Sequence, residues 1–310
     1  MNLQPFHKIA VDASLVFSAE MTAALERRSA TPLQYVDTAT ARSEVSPEVD
    51  ALVCGWGFDL DAPLLARLPQ LRYVGLRCTS LHRIATDELA RRAIACRAIH
   101  AYGDIGTVEF VMESLLFLLR ERTRNRTGNA SELHATTLAI VGYGEVGRKV
   151  AALALAFGMR VLVVGRRDLQ LAPDGPLMQV PLAQALEQAD VLSFHTPAYV
   201  NVLDSAMLER LKPGVNLLFT TLGMPVDPAA LDVYLGRNPA AAAMLDQCAR
   251  SGNGAGVVER ENCYVRPFYA ARTHESIVRA EQELLGNMAA FQRQGGAPGA
   301  GAPPAGAVWA

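Results

Sequence analysis

The sequence predicts an α/β protein built on two doubly wound parallel sheets. Three observations carry this. Short apolar, strand-like runs alternate with helix-spaced segments from the start of the chain. At 310 residues the chain has room for two modest domains. Half of its residues are hydrophobic and 19% are charged, a composition that buries real cores and is not that of a disordered chain.

The elements follow in order. Lys8 to Asp12 reads as a first strand, Ala19 to Arg28 as a helix, and Ala51 to Cys54 as a strand ending in Gly55-Trp56-Gly57. Leu64 to Leu68 suggests a helical turn, Leu71 to Val74 a strand, Asp87 to Arg92 a helix and Cys96 to His100 a strand. Val108 to Glu121 is a long apolar helix, and the polar stretch Thr123 to Glu132 reads as a linker. A second unit then runs strand Thr137–Val141, helix Val146–Phe157, strand Arg160–Val164 and strand Val191–Phe194. It continues with helix Ser205–Leu211, strand Asn216–Thr220, helix Pro228–Leu235 and strand Ala241–Leu245. His274 to Phe291 is the last helix, and the uncharged Gly/Ala/Pro tail 295–310 is expected to be disordered.

One motif points to a cofactor. Gly142-Tyr-Gly144-Glu-Val-Gly147 is a GxGxxG run that directly follows a strand and opens a helix. Gly142 allows the tight turn, Gly144 lets a pyrophosphate approach the backbone, and Gly147 packs the helix on the strand. This makes the second unit a Rossmann-like dinucleotide-binding domain. The next strand ends in Gly165-Arg166-Arg167-Asp168, with glycine where an NAD site usually places a carboxylate. A carboxylate would repel a 2′-phosphate, whereas arginine pairs with it. The sequence therefore favours NADP(H), with NAD(H) left open, as is the reading in which both arginines are merely solvated and Asp168 meets the ribose.

Composition excludes other classes. Against 29 Lys and Arg stand 31 Asp and Glu, a formal net charge of −2, so no basic footprint for nucleic acid exists. No apolar run reaches the roughly 18 residues of a membrane span. The N-terminus shows no signal-peptide core, and five cysteines without metal spacing read as free thiols in a reducing cytoplasm, with no metal expected.

Taken together, the pattern resembles the D-2-hydroxyacid dehydrogenase family, which includes phosphoglycerate and hydroxypyruvate dehydrogenases. Thr107-Val-Glu109 looks like its "VAE" segment, and Asp190-Val-Leu-Ser-Phe-His195-Thr-Pro197 is similar to its "DVVxLHxP" strand. Leu211-Lys-Pro-Gly214, Val226-Asp227 and Leu245-Asp246 match the stretches that follow. The resemblance implies a substrate domain of residues 1–105 plus 270–294, a cofactor domain of residues 106–269, and chemistry in a cleft between them. It extends the cofactor set of Gly142, Gly144, Gly147, Gly165, Arg166 and Arg167 to Tyr143, Glu145, Val146, His195, Thr196, Pro197, Thr221 and Asp246. It places substrate contacts at Trp56, Arg77, Cys78, Thr79 and Ser80, where the family has a glycine-rich loop for a carboxylate. A homodimer is implied as well.

The chain departs from the family where the family does its chemistry. Leu222 stands at the position of the substrate-holding arginine, Phe268 at that of the proton-carrying histidine, and Ser251 near that of the glutamate which orients it. Leucine cannot pair with a carboxylate and phenylalanine cannot carry a proton. His100, Tyr102, Tyr269 and His82 are the candidate replacements, each weighed against a packing or loop-anchoring role. The leading expectation is an NADP(H)-dependent oxidoreductase with a non-standard site, moving hydride to or from a small polar, anionic substrate. An activated C=N or C=C bond suits a site with little acid–base help. The alternatives are a catalytically retired nucleotide-binding or regulatory protein, and a non-redox lyase or hydratase on the same scaffold.

Overall fold

The computed structural model describes residues 4–134, 136–172 and 175–295; the expected disorder of the tail falls on residues outside these, apart from Gly295. The chain divides into two compact units. One takes the described residues up to Tyr102 and those from Ile277 onward; the other is Gly103–Ser276.

In the first unit the strands are β1 (Ile9–Asp12), β2 (Gln34–Val36), β3 (Ala51–Cys54), β4 (Tyr73–Leu76) and β5 (Ala95–Ala98). They pair in parallel in the order β2-β1-β3-β4-β5, a doubly wound topology that reverses between β1 and β3. Every residue of β1, β3 and β4 is buried, as expected of strands covered on both faces. Helix α1 (Ala19–Glu26) starts at Ser18, whose hydroxyl caps the Met21 N–H.

In the second unit α5 (Asp104–Leu116; α2 to α4 are Ala41–Glu44, Ala62–Ala66 and Thr86–Arg91) runs through a π-helical turn, Phe117–Arg122, into α6 (Thr123–Thr127). The start of the supposed linker is therefore helical. Arg122 explains it: this buried guanidinium donates to the carbonyls of Pro239, Ala240 and Ala241 at 3.0–3.2 Å. The sheet comprises β6 (Thr137–Val141), β7 (Arg160–Val164), β8 (Leu177–Gln179), β9 (Val191–Phe194), β10 (Asn216–Phe219), β11 (Ala242–Leu245) and β12 (Cys263–Val265). All pair in parallel, in the order β12-β11-β10-β9-β6-β7-β8, so the reversal lies between β6 and β9. Around them lie α7 (Glu145–Ala156), α8 (Leu182–Gln188), α9 (Ser205–Leu208) and α10 (Pro228–Arg237); α11 (His274–Arg293) leads out of the unit. Apolar clusters cover both faces of this sheet, Phe194 and Phe219 anchoring one and Leu138, Ile140 and Val161 the other. The expected α/β class with two parallel sheets is what the chain adopts. Among the described residues no helix is long and apolar enough to cross a membrane, and no cluster of three or more His, Cys, Asp or Glu is arranged to hold a metal.

Candidate functional site

The second unit concentrates unusual backbone at the C-terminal ends of its strands, where open α/β sheets accept ligands. At the end of β6, Gly142 has φ +98°, and a Cβ there would run into the His195 carbonyl at the end of β9. The two strands flanking the reversal thus approach so closely that only glycine fits. Gly147 closes the same turn from the helix side, since its Cβ would collide with the Gly142 carbonyl. Gly144, the residue before α7, has open space where a Cβ would be, and so does Gly165 at the end of β7. The cradle is filled from below by glycine contacts and is open above. Glu145 pairs with Arg148 on the helix surface, while Tyr143 and Val146 are partly buried against the core.

Beyond β7, Arg166 and Arg167 are exposed, and the Gln179 amide donates to the Arg167 carbonyl at 2.6 Å. The Asp168 carboxylate accepts the Gln170 N–H at 2.9 Å, a local turn bond that occupies one of its oxygens. Beyond β9, the His195 ring is held by Ser193 Oγ at 2.9 Å and Thr220 Oγ1 at 3.4 Å. Burial pushes its pKa down to about 4, so the ring is neutral and serves packing rather than proton transfer. The neighbouring Thr196 hydroxyl is buried and finds no protein partner, and Pro197 is exposed.

The family's three catalytic positions can be placed. Leu222 is partly buried after β10. Its neighbour Thr221 donates to the Gly223 carbonyl at 2.7 Å. Phe268 is 48% exposed and meets Phe110 edge to face, with ring centres 6.0 Å apart. Ser251 donates a long 3.4 Å bond to the Gln247 carbonyl. Below them Asp246, 1% exposed, accepts the Ala249 N–H at 3.0 Å and the Ala270 N–H at 2.9 Å. Burial raises its pKa to about 6 despite these donors, and it also takes a bond from the Cys248 thiol. Tyr269 is partly buried one residue after Phe268, and its carbonyl accepts the Arg272 N–H.

In the first unit the other predicted residues lie beyond the C-terminal ends of β3, β4 and β5. Asp12 accepts N–H groups from Ser14 and Gly55, and Trp56 is 40% exposed. Arg77 donates to the Val16 carbonyl at 3.0 Å and lies 5.3 Å over the Phe17 ring. Cys78 is buried, its thiol pushed up to about 11 by burial and donating to the Ser80 carbonyl at 3.3 Å. Thr79 is exposed, and Ser80 Oγ lies 2.9 Å from His82 Nδ1. Burial, then the charge of Arg83, lowers the His82 pKa. The His100 N–H donates to Glu283 at 2.9 Å, and the Tyr102 carbonyl accepts from Arg279 at 3.0 Å, so both residues anchor α11. Gly103 precedes α5, and Asp104 in its first turn pairs with Lys149 at 2.9 Å. Tyr199 and Asn253, which tie together the loops after β9, β10 and β11, belong to no motif that the sequence offered.

Comparison with known proteins matches residues 114–270, about half of the chain, to the family model described as D-isomer specific 2-hydroxyacid dehydrogenase, NAD binding domain. An erythronate-4-phosphate dehydrogenase of Escherichia fergusonii is 28% identical over 246 residues, 77% of this chain and 61% of that protein. The chain thus spans less than two thirds of the length of this curated relative. Among solved structures, the TT0316 protein from Thermus thermophilus superposes with TM-score 0.79 at 23% identity, covering 94% of this chain and 98% of that one. The acyclic imino acid reductase Bsp5, solved with NADPH and D-Arg, gives 0.74 at 21% identity, covering 93% and 97%.

Proposed function

The chain belongs to the D-isomer specific 2-hydroxyacid dehydrogenase family, and from this we propose that it is a nicotinamide-dependent oxidoreductase that prefers NADP(H) and reduces or oxidises a small polar substrate without the family's proton relay. The observation that carries the reading is the glycine cradle open above Gly144, next to a β7 that ends in glycine and two arginines. Backbone N–H groups at the start of α7 would take the pyrophosphate, Arg166 and Arg167 the 2′-phosphate, and the orphaned Thr196 hydroxyl a polar group of the cofactor. The cofactor, when bound, supplies or accepts the hydride.

The chain's own residues contribute mainly by what they withhold. Leu222 and the half-exposed Phe268 put hydrocarbon at their positions, which gives neither charge nor proton. A ketone needs a proton delivered to its oxygen as hydride arrives. A protonated imine already carries its proton, so hydride addition alone completes the reduction. The fold houses such chemistry in a protein named for imino acid reduction and solved with NADPH. Of the candidate proton carriers His82, His100, Tyr102 and Tyr269, His82 has its pKa lowered by burial and then by the charge of Arg83, a direction that suits a base. The exposed loop Thr79–Ser80, with Trp56 and Arg77, would meet a small anionic substrate. The reading includes a cytoplasmic homodimer with no nucleic-acid or membrane partner.

Direct titration of the full chain with NADPH, NADH and their oxidised forms tests the proposal. NADPH should bind at least tenfold more tightly than NADH, and Arg166→Ala with Arg167→Ala should erase that difference. No binding of any nucleotide would sink it. Tight NADPH binding without turnover across imine, enoate and carbonyl panels would favour a retired, nucleotide-sensing protein.

A further inference from the structure

A trough of about 320 Å³ lies between α9 and α10, which pack side by side. That volume is at the lower end of the roughly 300–1,000 Å³ of small-molecule sites. The loops that lead into the two helices are zipped together. The Val202 and Leu203 N–H groups donate to the Pro225 carbonyl at 2.8 and 3.0 Å, and Leu203 bridges Val226 in parallel. This sets Ser205, at the start of α9, and Asp227, which caps α10, at the same end of the trough. From there α10 turns Ala230, Tyr234 and Arg237 to one side, three to four residues apart. Glu209, at the end of α9, lines the trough with them. None of these residues belongs to the glycine cradle or to the turn after β7.

Four polar side chains here have hydrogen bonds left to make. Tyr234 is 5% exposed, and its hydroxyl has no hydrogen-bond partner among the described residues. That hydroxyl is not sealed from solvent; the space it meets is the trough. A phenol buried this deeply normally finds a partner. Burial, then the charge of Glu209, raises its pKa to about 12, so it keeps its proton and lies by the Glu209 carboxylate. Arg237 and Glu209 come within 3.9 Å, near enough to attract and too far for a hydrogen bond. Asp227 spends one carboxylate oxygen on the Ala229 N–H at 3.0 Å and keeps the other open. Leu208 and Val233 supply hydrocarbon along the trough, and Val233 is 51% exposed.

We infer that this trough binds a free α-amino acid with a cationic side chain, of the lysine class, at a site separate from the cofactor cradle. The α-ammonium meets Glu209 and the Tyr234 oxygen, and the carboxylate meets Arg237. The methylenes run over Leu208 and Val233, and the terminal ammonium reaches Asp227 and Ser205. The charges match: two carboxylates and one guanidinium face two ammoniums and one carboxylate. From Asp227 to Tyr234 the helix rises about 10 Å, room for a four-methylene side chain between its charged ends. The inference does not rest on the oxidoreductase reading, and no bond is made or broken in the trough.

Calorimetric titration of the full chain with L-lysine tests it, beside norleucine, which lacks the terminal ammonium, and cadaverine, which lacks the carboxylate. L-lysine should bind with a Kd of about 1 mM or tighter, and each analogue about tenfold more weakly or worse. Glu209→Gln and Arg237→Gln should each weaken L-lysine about tenfold, the loss of one charge-assisted pair. Tyr234→Phe should weaken it about threefold and leave the melting temperature unchanged, because the hydroxyl bonds to nothing in the free protein. Asp227→Asn keeps a residue that caps helices, so it should weaken L-lysine while leaving norleucine unchanged. No binding of L-lysine up to about 10 mM would overturn the inference, and so would binding that none of these variants weakens. Norleucine or cadaverine binding as tightly as L-lysine would overturn the ligand class. Displacement of L-lysine by NADPH would overturn the separate site.

Discussion

Two buried groups in the second unit titrate in opposite senses over nearly the same pH range. Asp246 has a folded pKa of about 6 against 3.8 for the free group. Between those values the folded protein binds the extra proton, so this residue lowers stability as pH rises toward 6, by about 3 kcal/mol in all. His195 falls from 6.5 to about 4, so there the unfolded chain binds the extra proton. Its burial lowers stability as pH falls through that window, by an amount of the same order. The two trends largely offset each other in the wild type. Urea unfolding from about pH 4 to about pH 7 should separate them. Asp246→Asn should make the protein lose stability more steeply toward acid, and His195→Gln should make it gain stability there. Parallel pH profiles for the wild type and both variants would refute the account.

At the scale of elements, much was legible because buried parallel strands are short apolar runs. Ala51–Cys54, Thr137–Val141, Arg160–Val164 and Val191–Phe194 stand where the sequence put them. The strands it missed lie at sheet edges: β2, β8 and β12 are three residues each and partly exposed, so neither length nor hydrophobicity marks them. The glycine cradle was legible because close approach leaves only one residue choice. Tyr199 was not, because its contacts come from loops distant in sequence that fold together. The polar stretch after Arg122 was misread because its helix is held by a tertiary contact rather than by propensity. A π-helical turn inserts one extra residue, which rotates the rest of the helix by about 100° and aims Arg122 at the carbonyls of residues 239–241. Arg122→Ala should therefore cost about 2–4 kcal/mol in urea unfolding, since buried carbonyls lose charged donors. A loss below about 0.5 kcal/mol would show that water or a shifted turn replaces the arginine.

For the molecule as a whole, the charge balance leaves association to apolar surface. A net charge of −2 neither repels copies strongly nor draws in a polyanion. Large apolar residues lie open on two helices of the second unit that pack side by side, α5 and α7. Leu153 and Phe157 at α7 are 41% and 45% exposed, with Ala152 and Ala156 beside them, and Leu116 ends α5 at 40%. The spacing of 152, 153, 156 and 157 makes one stripe along α7 rather than scattered residues. The homodimer we propose would use this stripe, since a two-fold contact between identical helices covers apolar surface on both copies at once. The proposed homodimer would close over this stripe, adding the rest of a face of about 800 Å² per copy. Sedimentation of the wild-type chain at micromolar concentration should give a dimer, and Leu153→Asp with Phe157→Arg should give a folded monomer with unchanged circular dichroism. Because Gly142, Gly144 and the Arg166–Arg167 pair lie at strand ends and not on this stripe, the monomeric variant should still bind NADPH. A wild-type chain that sediments as a monomer would overturn the proposed homodimer, and a double variant that stays dimeric would move the interface off the α7 stripe.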